Sequence, residues 1–325
     1  MKLFQVKMLY IIGASLLALT ACKDDESSTL SQHVENGFDK IPTRIYQQME
    51  MGLKTQSEIN SKKSKTISRG LASVGHDELT WKKEIVTVSF EGGSTEVYKL
   101  IENTAQKWTD LGGYLAFSFK DTNGNYRLWD KTKPSTATDI RISFRTDKED
   151  GGYWSVVGNI ANYIDVSDPT MNFGGFETDL QPFYGQTNNW LDSYEHSTIL
   201  HEFGHALGLA HEHFHPDCQS DLKIKRVVNK FVSEGWTKHD AKFNIQASYY
   251  IKKMYESGDI TTGPLESDVI DQDSVMLYST YHKKFYKSGV NSPCRPLNTL
   301  GYATAISYGD AEYFSEHYSF LGLEQ

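Results

Sequence analysis

The sequence predicts an α/β fold, because strand-like and helix-like patterns of apolar residues follow one another along the chain. Glu84 to Phe90 alternates apolar and polar residues, which is typical of a half-buried strand. Thr95 to Leu111 instead gathers its apolar residues on one helical face. Alternation returns at residues 115–119 and 140–144, which predicts two further strands before a histidine-rich helix.

The second half of the chain shows fewer regular patterns. Residues 151–189 are rich in glycine and asparagine, which predicts long surface loops around a cleft. Within them, residues 169–175 are expected near the edge strand that borders this cleft. A capping box formed by Ser307 and Asp310 predicts a last helix that continues through His317.

Three histidines at metal-ligand spacing lie close together in the middle of the chain. On a helix, His201 and His205 are one turn apart and point the same way, while Glu202 flanks a bound metal and can take a proton from water there. His211 can join them only if the chain leaves the helix, which Gly208 permits by adopting the left-handed conformation. The pattern predicts one Zn²⁺ held by three imidazoles, because an ordinary core helix with incidental histidines does not explain the spacing.

The extended histidine motif resembles that of the metzincin metalloproteases. A methionine turn should follow it, and residues 273–279 fit, with Met276 as the expected apolar floor beneath the metal. Glu212, directly after the third histidine, and Tyr278, two residues after the methionine, narrow the resemblance to the astacin family. The resemblance implies a metzincin-like α/β (α+β) fold. Its upper subdomain would contain a twisted, mostly parallel sheet and two long helices. Its lower subdomain would be irregular and would contain the methionine turn and a C-terminal helix.

The same resemblance implies roles for three residues around the metal. Tyr278 would be a labile fifth ligand or a donor to the developing oxyanion, and the alternative is a buried tyrosine with a satisfied hydroxyl. Glu212 would be structural and would pair with the amino terminus that activation frees. Met276, considered alone, could also be ordinary core filling.

The chain departs from the astacin pattern in several places. Met276 follows His211 by 65 residues, which suggests an insertion. The two disulfides of typical astacins are absent, although Cys218 and Cys294 bracket the methionine turn and could form one bridge. Residues 37–39 contain the residue types of the usual propeptide signature in the wrong order, so a solvated Asp39 is favoured over one that blocks the zinc. A bacterial matrixin-like relative is the alternative within the superfamily.

The first 21 residues resemble a bacterial lipoprotein signal peptide. Two lysines precede an apolar run from Met8 to Leu19, which is too short to span a bilayer. Small residues before Cys22 predict cleavage there and lipidation of this cysteine, whose acyl chains would anchor the protein to a membrane. A conventional signal peptide is the alternative. Residues 23–26 resemble a short lysine-acidic tag for the outer surface, or are simply a solvated charge run.

Residues 22–75 are poor in large apolar side chains and predict a tether or pro-segment, with a short helix expected from Ile41 to Met51. The bond between Arg69 and Gly70 is a plausible point for activating cleavage. Residues 76–325 are expected to form the catalytic domain. The protein is therefore expected as an outer-membrane lipoprotein at the cell surface, or as a secreted enzyme once the tether is cut.

The composition fits an exported enzyme rather than a nucleic-acid-binding protein, because the net charge is -9 and the pI about 5.7. The expected partners are a protein or peptide substrate and a membrane, reached through Cys22, and the chain is expected to be a monomer. The residues predict a zinc-dependent endopeptidase in which Glu202 is the general base. A catalytically inactive surface-binding lipoprotein on the same scaffold is the alternative. A zinc hydrolase for non-peptide substrates also stays open, because the motif does not name the bond.

Overall fold

The computed structural model of the chain describes residues 40–60, 79–185, 189–250, 269–277, 285–294 and 300–319. The predictions for the signal peptide, Cys22, Asp39, the Arg69–Gly70 bond and Tyr278 lie outside these residues. Within the described ranges, no helix combines the length and the apolar character that crossing a membrane would require.

The described structure contains a five-stranded sheet with the strand order β2-β1-β3-β5-β4. Its strands are β1 (Ile85–Phe90), β2 (Ala116–Ser118), β3 (Ile140–Ser143), β4 (Tyr153–Ser155) and β5 (Met171–Phe173). β2, β1, β3 and β5 are parallel, and β4 pairs antiparallel with β5 at the edge. The predicted α/β fold with a mostly parallel sheet is confirmed.

The stretch from residue 151 to 189 is more regular than its composition predicts, since it contains both β4 and β5. Asn172 in β5 supports this pairing: its Oδ1 accepts from the backbone N of Arg145 at 2.8 Å, and its Nδ2 donates to the carbonyl of Gly152 at 2.6 Å. A short 3-10 helix, Gly158–Tyr163, connects the two strands. Residues 169–175 do lie beside the edge strand, as expected, because β5 is the neighbour of β4.

Helices cover the sheet and build the rest of the described molecule. They are α1 (Thr43–Asn60), α2 (Thr95–Thr109), α3 (Phe176–Asp179), α4 (Tyr194–Ala206), α5 (Pro216–Asp221), α6 (Ile224–Ser233), α7 (Lys238–Ile245) and α8 (Tyr308–Tyr318). α2 starts at Ser94, whose side chain accepts from the backbone N of Val97. Trp108 fixes α2 against α4, because its indole donates to the carbonyl of Leu200 at 3.0 Å.

The chain after α4 is less irregular than the sequence predicts, because it forms the short helices α5, α6 and α7. α6 buries Val227, Val228 and Phe231 in a second apolar cluster, separate from the core beneath the sheet. Cys218 and Cys294 lie in this cluster and form a disulfide, with their Cα atoms 5.4 Å apart. The bridge that the two cysteines could form is thereby confirmed.

Part of the segment predicted to be a tether or pro-segment is a helix that packs on the rest of the described structure. α1 begins near the predicted start but runs to Asn60, and it buries Ile45, Met49 and Leu53. The ring of Tyr46 lies 4.4 Å from that of His239 and 4.8 Å from that of Phe243, measured between centroids. The domain boundary near residue 75 stays a prediction.

Candidate metal centre

α4 carries the first two histidines of the motif and is buried along almost its whole length. It begins at Ser193, whose side chain accepts from the backbone N of His196. It ends at Ala206, and Gly208 then adopts a φ of 102°, the left-handed conformation that the sequence predicts for this glycine. The backbone N of Gly208 donates to the carbonyl of His205 at 2.8 Å, which closes the helix end and redirects the chain.

The three histidines come together where the chain leaves this helix. One ring nitrogen from each of His201, His205 and His211 lies within 4.8 Å of the other two. The Nε2 atoms of His205 and His211 are only 3.1 Å apart, and all three residues are buried. Gly208 therefore places the third imidazole where the motif predicts it.

Backbone carbonyls determine which nitrogen each of the first two rings presents. The Nδ1 of His201 lies 2.6 Å from the carbonyl of Val275, and the Nδ1 of His205 lies 2.8 Å from that of Leu209. A carbonyl can only accept, so both Nδ1 atoms carry the proton and both Nε2 atoms present a lone pair. Nε2 atoms whose lone pairs point toward one another can lie this close when a cation binds between them. Three imidazoles, two of them oriented by backbone carbonyls, suit Zn²⁺.

The methionine turn packs directly beneath the metal helix. Met276 is fully buried, and a side chain added at Gly204 would collide with its Sδ atom. The backbone N of Glu212 donates to the carbonyl of Met276 at 3.0 Å, so the turn is tied to the residue after the third ligand. This packing is consistent with the apolar floor that the resemblance implies, and the role of Met276 beneath a bound metal stays a prediction.

The two glutamates of the motif are buried in different surroundings. Glu202 is 1% exposed and follows His201 directly on α4. Glu212 is fully buried, and its Oε1 accepts from the backbone N of Asp271 at 2.8 Å. This contact is consistent with a structural role, while the pairing of Glu212 with a freed amino terminus stays a prediction. Tyr278 is not among the described residues.

Sequence reasoning missed the side chains that hold the end of the metal helix. Trp81 donates its indole N–H to the carbonyl of Ala206 at 2.7 Å, and Tyr318 donates its hydroxyl to that of Leu207 at 2.8 Å. These carbonyls belong to the last turn, where the helix has no N–H donors of its own to satisfy them. Trp81 precedes β1 and Tyr318 ends α8, so no local pattern indicates either contact.

A second group of missed contacts involves Asp310, which the sequence identifies only as a helix cap. Its Oδ1 accepts from the hydroxyl of Ser274 at 2.7 Å, and its Oδ2 accepts from the backbone N of Val275 at 2.9 Å. Burial raises the pKa of the Asp310 carboxyl, while these hydrogen bonds act in the opposite direction. The carboxyl thus links the C-terminal helix to the methionine turn.

A small cavity beside the metal site is lined by residues from four parts of the chain, one of which is the end of α7 with the residues that follow it. His205 and His211 form one side, Ser155 of β4 another, and Ile41, which precedes α1, a third. The amino-terminal segment therefore reaches the edge of the histidine cluster.

This fold and site resemble the scaffold of the metzincin-type zinc metalloproteases: a mostly parallel sheet with an antiparallel edge strand, a histidine-bearing helix that ends at a glycine, and a methionine beneath it. No protein-family model matches the chain. It is similar to the zinc metalloproteinase nas-24 of Caenorhabditis elegans, with 26% identity over 136 residues, which is 41% of this chain and 33% of that protein. It is also similar to astacin-like metalloprotease toxin 1 of Loxosceles intermedia, with 30% identity over 118 residues, which is 35% of this chain and 38% of that protein.

The chain therefore spans about a third of the length of the curated relatives that it matches. Among solved structures, its fold is similar to that of myroilysin, with a TM-score of 0.52 and 23% identity over 76% of this chain and 98% of that one. The predicted resemblance to astacin-like metalloproteases is confirmed in sequence, and the metzincin-like fold is confirmed in structure.

Proposed function

We propose that this chain is a zinc-dependent endopeptidase that hydrolyses protein or peptide substrates. The observation that carries the proposal is the convergence of His201, His205 and His211, with Glu202 buried beside them on the same helix. The astacin-like relatives supply independent support, because they are metalloproteases by name.

Each residue of the site has a defined task in this reaction. The three imidazoles would hold a single Zn²⁺, which supplies Lewis acidity and brings the pKa of water to about 7. Glu202 accepts the proton of the attacking water and delivers it to the leaving amine. Tyr278 donates a hydrogen bond to the developing oxyanion, an assignment supported by its place two residues after Met276.

The edge of the sheet offers a place for an extended substrate. Among the residues that the structure describes, β4 pairs with β5 on one side only. Its Ser155 lines the cavity that also contains His205 and His211. An extended peptide can add to such an edge through backbone hydrogen bonds, which would bring its scissile carbonyl toward the histidine cluster.

Two substitutions in α4 test the proposed roles separately. Glu202→Gln should retain stoichiometric zinc and lose about 100-fold or more in cleavage rate, because it removes the base but no ligand. His205→Ala should lose zinc as well as cleavage, since two ligands remain. Metal analysis and peptide-library cleavage of the chain beginning at residue 76, with and without chelator, measure both. Cleavage that resists chelation, or wild-type cleavage by Glu202→Gln, would refute the proposal.

The docking of α1 supports a further proposal, that residues 22–69 act as an inhibitory pro-segment. Ile41 lies at the cavity beside His205 and His211, where a substrate would approach. Three residues later, the guanidinium of Arg44 pairs with the carboxylates of Asp150 and Asp168. Cleavage near Arg69 would free this segment and open the cleft.

Charge pairing holds α1 in place over a broad pH range. Burial alone would raise the pKa of the Asp150 carboxyl, but hydrogen bonds from Arg44 and Arg145 outweigh it and lower this pKa. Gln48 adds a hydrogen bond from its amide to Asp168 at 2.7 Å. Asp150 thus stays charged, and the pairing stays intact, under mildly acidic conditions.

The proposed cellular location of the protein is based on its amino-terminal sequence alone. We propose that Cys22 is lipidated after removal of residues 1–21, and that the enzyme is displayed on the outer membrane until its tether is cut. Metabolic labelling with radioactive palmitate should mark the wild type and leave Cys22→Ala unmarked. Equal labelling of both proteins, or of neither, would contradict lipidation.

A further inference from the structure

Asp310 makes more contacts than a helix cap requires. In the capping box, its Oδ2 accepts from the backbone N of Ser307 at 3.2 Å, and the hydroxyl of Ser307 accepts from the backbone N of Asp310 at 3.0 Å. Its carboxylate also reaches out of the helix to Ser274 and Val275 in the methionine turn. The carboxyl is fully buried, so each of these bonds forms in a low-dielectric environment, where a misplaced partner is costly.

Val275 connects this carboxylate to a metal ligand. Its backbone N donates to the Oδ2 of Asp310 at 2.9 Å, and its carbonyl accepts from the Nδ1 of His201 at 2.6 Å. The angles φ and ψ of Val275 lie between these two groups, so a second bond is needed to fix the direction of the carbonyl. This carbonyl shares a planar peptide unit with the N–H of Met276, which is held as well. The hydroxyl of Ser274, which donates to Asp310, in turn accepts from the backbone N of Met276 at 3.0 Å.

We propose that Asp310 is a positioning residue of the metal site: through Val275 it sets the orientation of the His201 ring. The inference rests on the proposed zinc site and concerns the geometry with which His201 meets the ion. Partners that orient a ligating histidine typically contribute about 10- to 100-fold in metal affinity. The C-terminal helix thereby contributes to a ligand that lies more than a hundred residues earlier in the chain.

The chain offers a variant that separates positioning from capping. Asp310→Ala removes the contacts to both the helix and the methionine turn. Ser307→Ala weakens the same helix cap but leaves the carboxylate of Asp310 in contact with Val275. Asp310→Asn should restore the function in part, because its amide oxygen can still accept from Val275 and its amide nitrogen can donate to Ser274.

The test is zinc affinity, measured in the full chain by competition with a chromogenic chelator. Asp310→Ala and Ser307→Ala should both lower the midpoint of thermal unfolding. Only Asp310→Ala should weaken zinc binding, by about fivefold or more relative to Ser307→Ala, and Asp310→Asn should recover most of the loss. The visible spectrum of the Co²⁺-substituted protein should change in Asp310→Ala and stay unchanged in Ser307→Ala.

A ratio of zinc dissociation constants below about fivefold between Asp310→Ala and Ser307→Ala would overturn the inference. If Asp310→Ala does not fold, Ser274→Ala takes its place, because it breaks the link on the side of the turn and spares the cap. For Ser274→Ala and Ser307→Ala, a ratio of zinc dissociation constants below about threefold would overturn the inference. If the proposed zinc site is wrong, the wild type itself will bind zinc weakly. If only this inference is wrong, the wild type will bind zinc tightly and Asp310→Ala will bind it about as well as Ser307→Ala.

Discussion

At the scale of single residues, Gly204 shows how closely the metal helix and the methionine turn approach each other. A Cβ atom at this position would collide with the Sδ of Met276 and would lie 3.2 Å from the Cζ2 of Trp108. Trp108 is fully buried and held by its bond to Leu200, so it has little room to move. Glycine is required here for space, whereas at Gly208 it is required for a positive φ.

Gly204→Ala should therefore destabilise the fold, although alanine is the better helix former. Overpacking of about 1–3 kcal/mol outweighs a propensity gain of about 1 kcal/mol, so a net loss of up to about 2 kcal/mol is expected. Urea denaturation of the metal-free protein measures it. Combining Gly204→Ala with Met276→Ala gives the control, because removing the thioether should relieve the clash. Strictly additive losses in the double variant would show that the two residues do not press on each other.

The buried imidazole of His196, on the first turn of the metal helix, should make the stability of the protein depend on pH. Burial lowers its pKa to about 4, and the nearby charge of Lys107 acts in the same direction. Between pH 6.5 and about 4, the His196 imidazole is protonated in the unfolded chain but not in the folded chain. The free energy of unfolding therefore falls as the pH drops through this window. The loss is up to about 3 kcal/mol.

Denaturant unfolding of the metal-free protein at several pH values measures this effect. His196→Asn should have a shallower loss of stability between pH 6.5 and 4 than the wild type, whatever its stability at neutral pH. His317→Asn, on the partly exposed face of α8, serves as the control and should retain the slope. An unchanged slope in His196→Asn would mean that this imidazole is not the group responsible.

At the scale of elements, local signals explain which helices and strands could be predicted. β1, α2 and the start of α8 carry a periodicity or a cap within a dozen residues, and all three form as expected. β4 and β5 are only three residues long, too short to show alternation, and their pairing depends on each other. Strands of this kind are fixed by neighbours rather than by their own sequence.

The same reasoning separates the predicted and the missed parts of the site. The three histidines and Gly208 lie within eleven residues, so one helix turn and the glycine that ends the helix bring the three imidazoles together. The contacts of Trp81 with Ala206, and of Asp310 with Val275, join residues 125 and 35 positions apart. Only the folded chain brings such pairs into contact, and one sequence contains no signal for them.

The C-terminal helix α8 stabilises the metal helix through its last residue, Tyr318. Its hydroxyl donates to Leu207 and accepts from the backbone N of Trp81 at 3.2 Å. Burial raises the pKa of this hydroxyl, so it remains a donor at any physiological pH. Tyr318→Phe leaves both backbone groups buried without this partner and should cost about 2–4 kcal/mol.

Urea unfolding of the two single variants measures this contribution. Tyr308→Phe, at the other end of α8, is the matched control, because that side chain is 82% exposed and should change stability by less than about 0.5 kcal/mol. Equal stability of Tyr318→Phe and Tyr308→Phe would show that α8 does not support the end of the metal helix.

At the scale of the whole molecule, the amino-terminal segment and the catalytic region meet at a polar contact beside the cleft. Arg44 is 36% exposed in its side chain, while Asp150 is 9% exposed, so the contact is partly screened by solvent. Its contribution should therefore be modest in energy, and it should be measurable in activity if α1 inhibits the enzyme as proposed.

Arg44→Ala should raise the basal peptidase activity of the uncleaved chain by about tenfold, since one free-energy increment of roughly 1.4 kcal/mol changes the open fraction by that factor. Lys54→Ala, an exposed position on the same helix, should leave it unchanged. The chain that begins at residue 76 sets the upper limit, because α1 is absent from it. Continuous cleavage of a quenched fluorescent peptide compares all four proteins. If the shortened chain is no faster than the intact one, α1 does not inhibit; if it is faster while Arg44→Ala equals Lys54→Ala, inhibition does not depend on this ion pair.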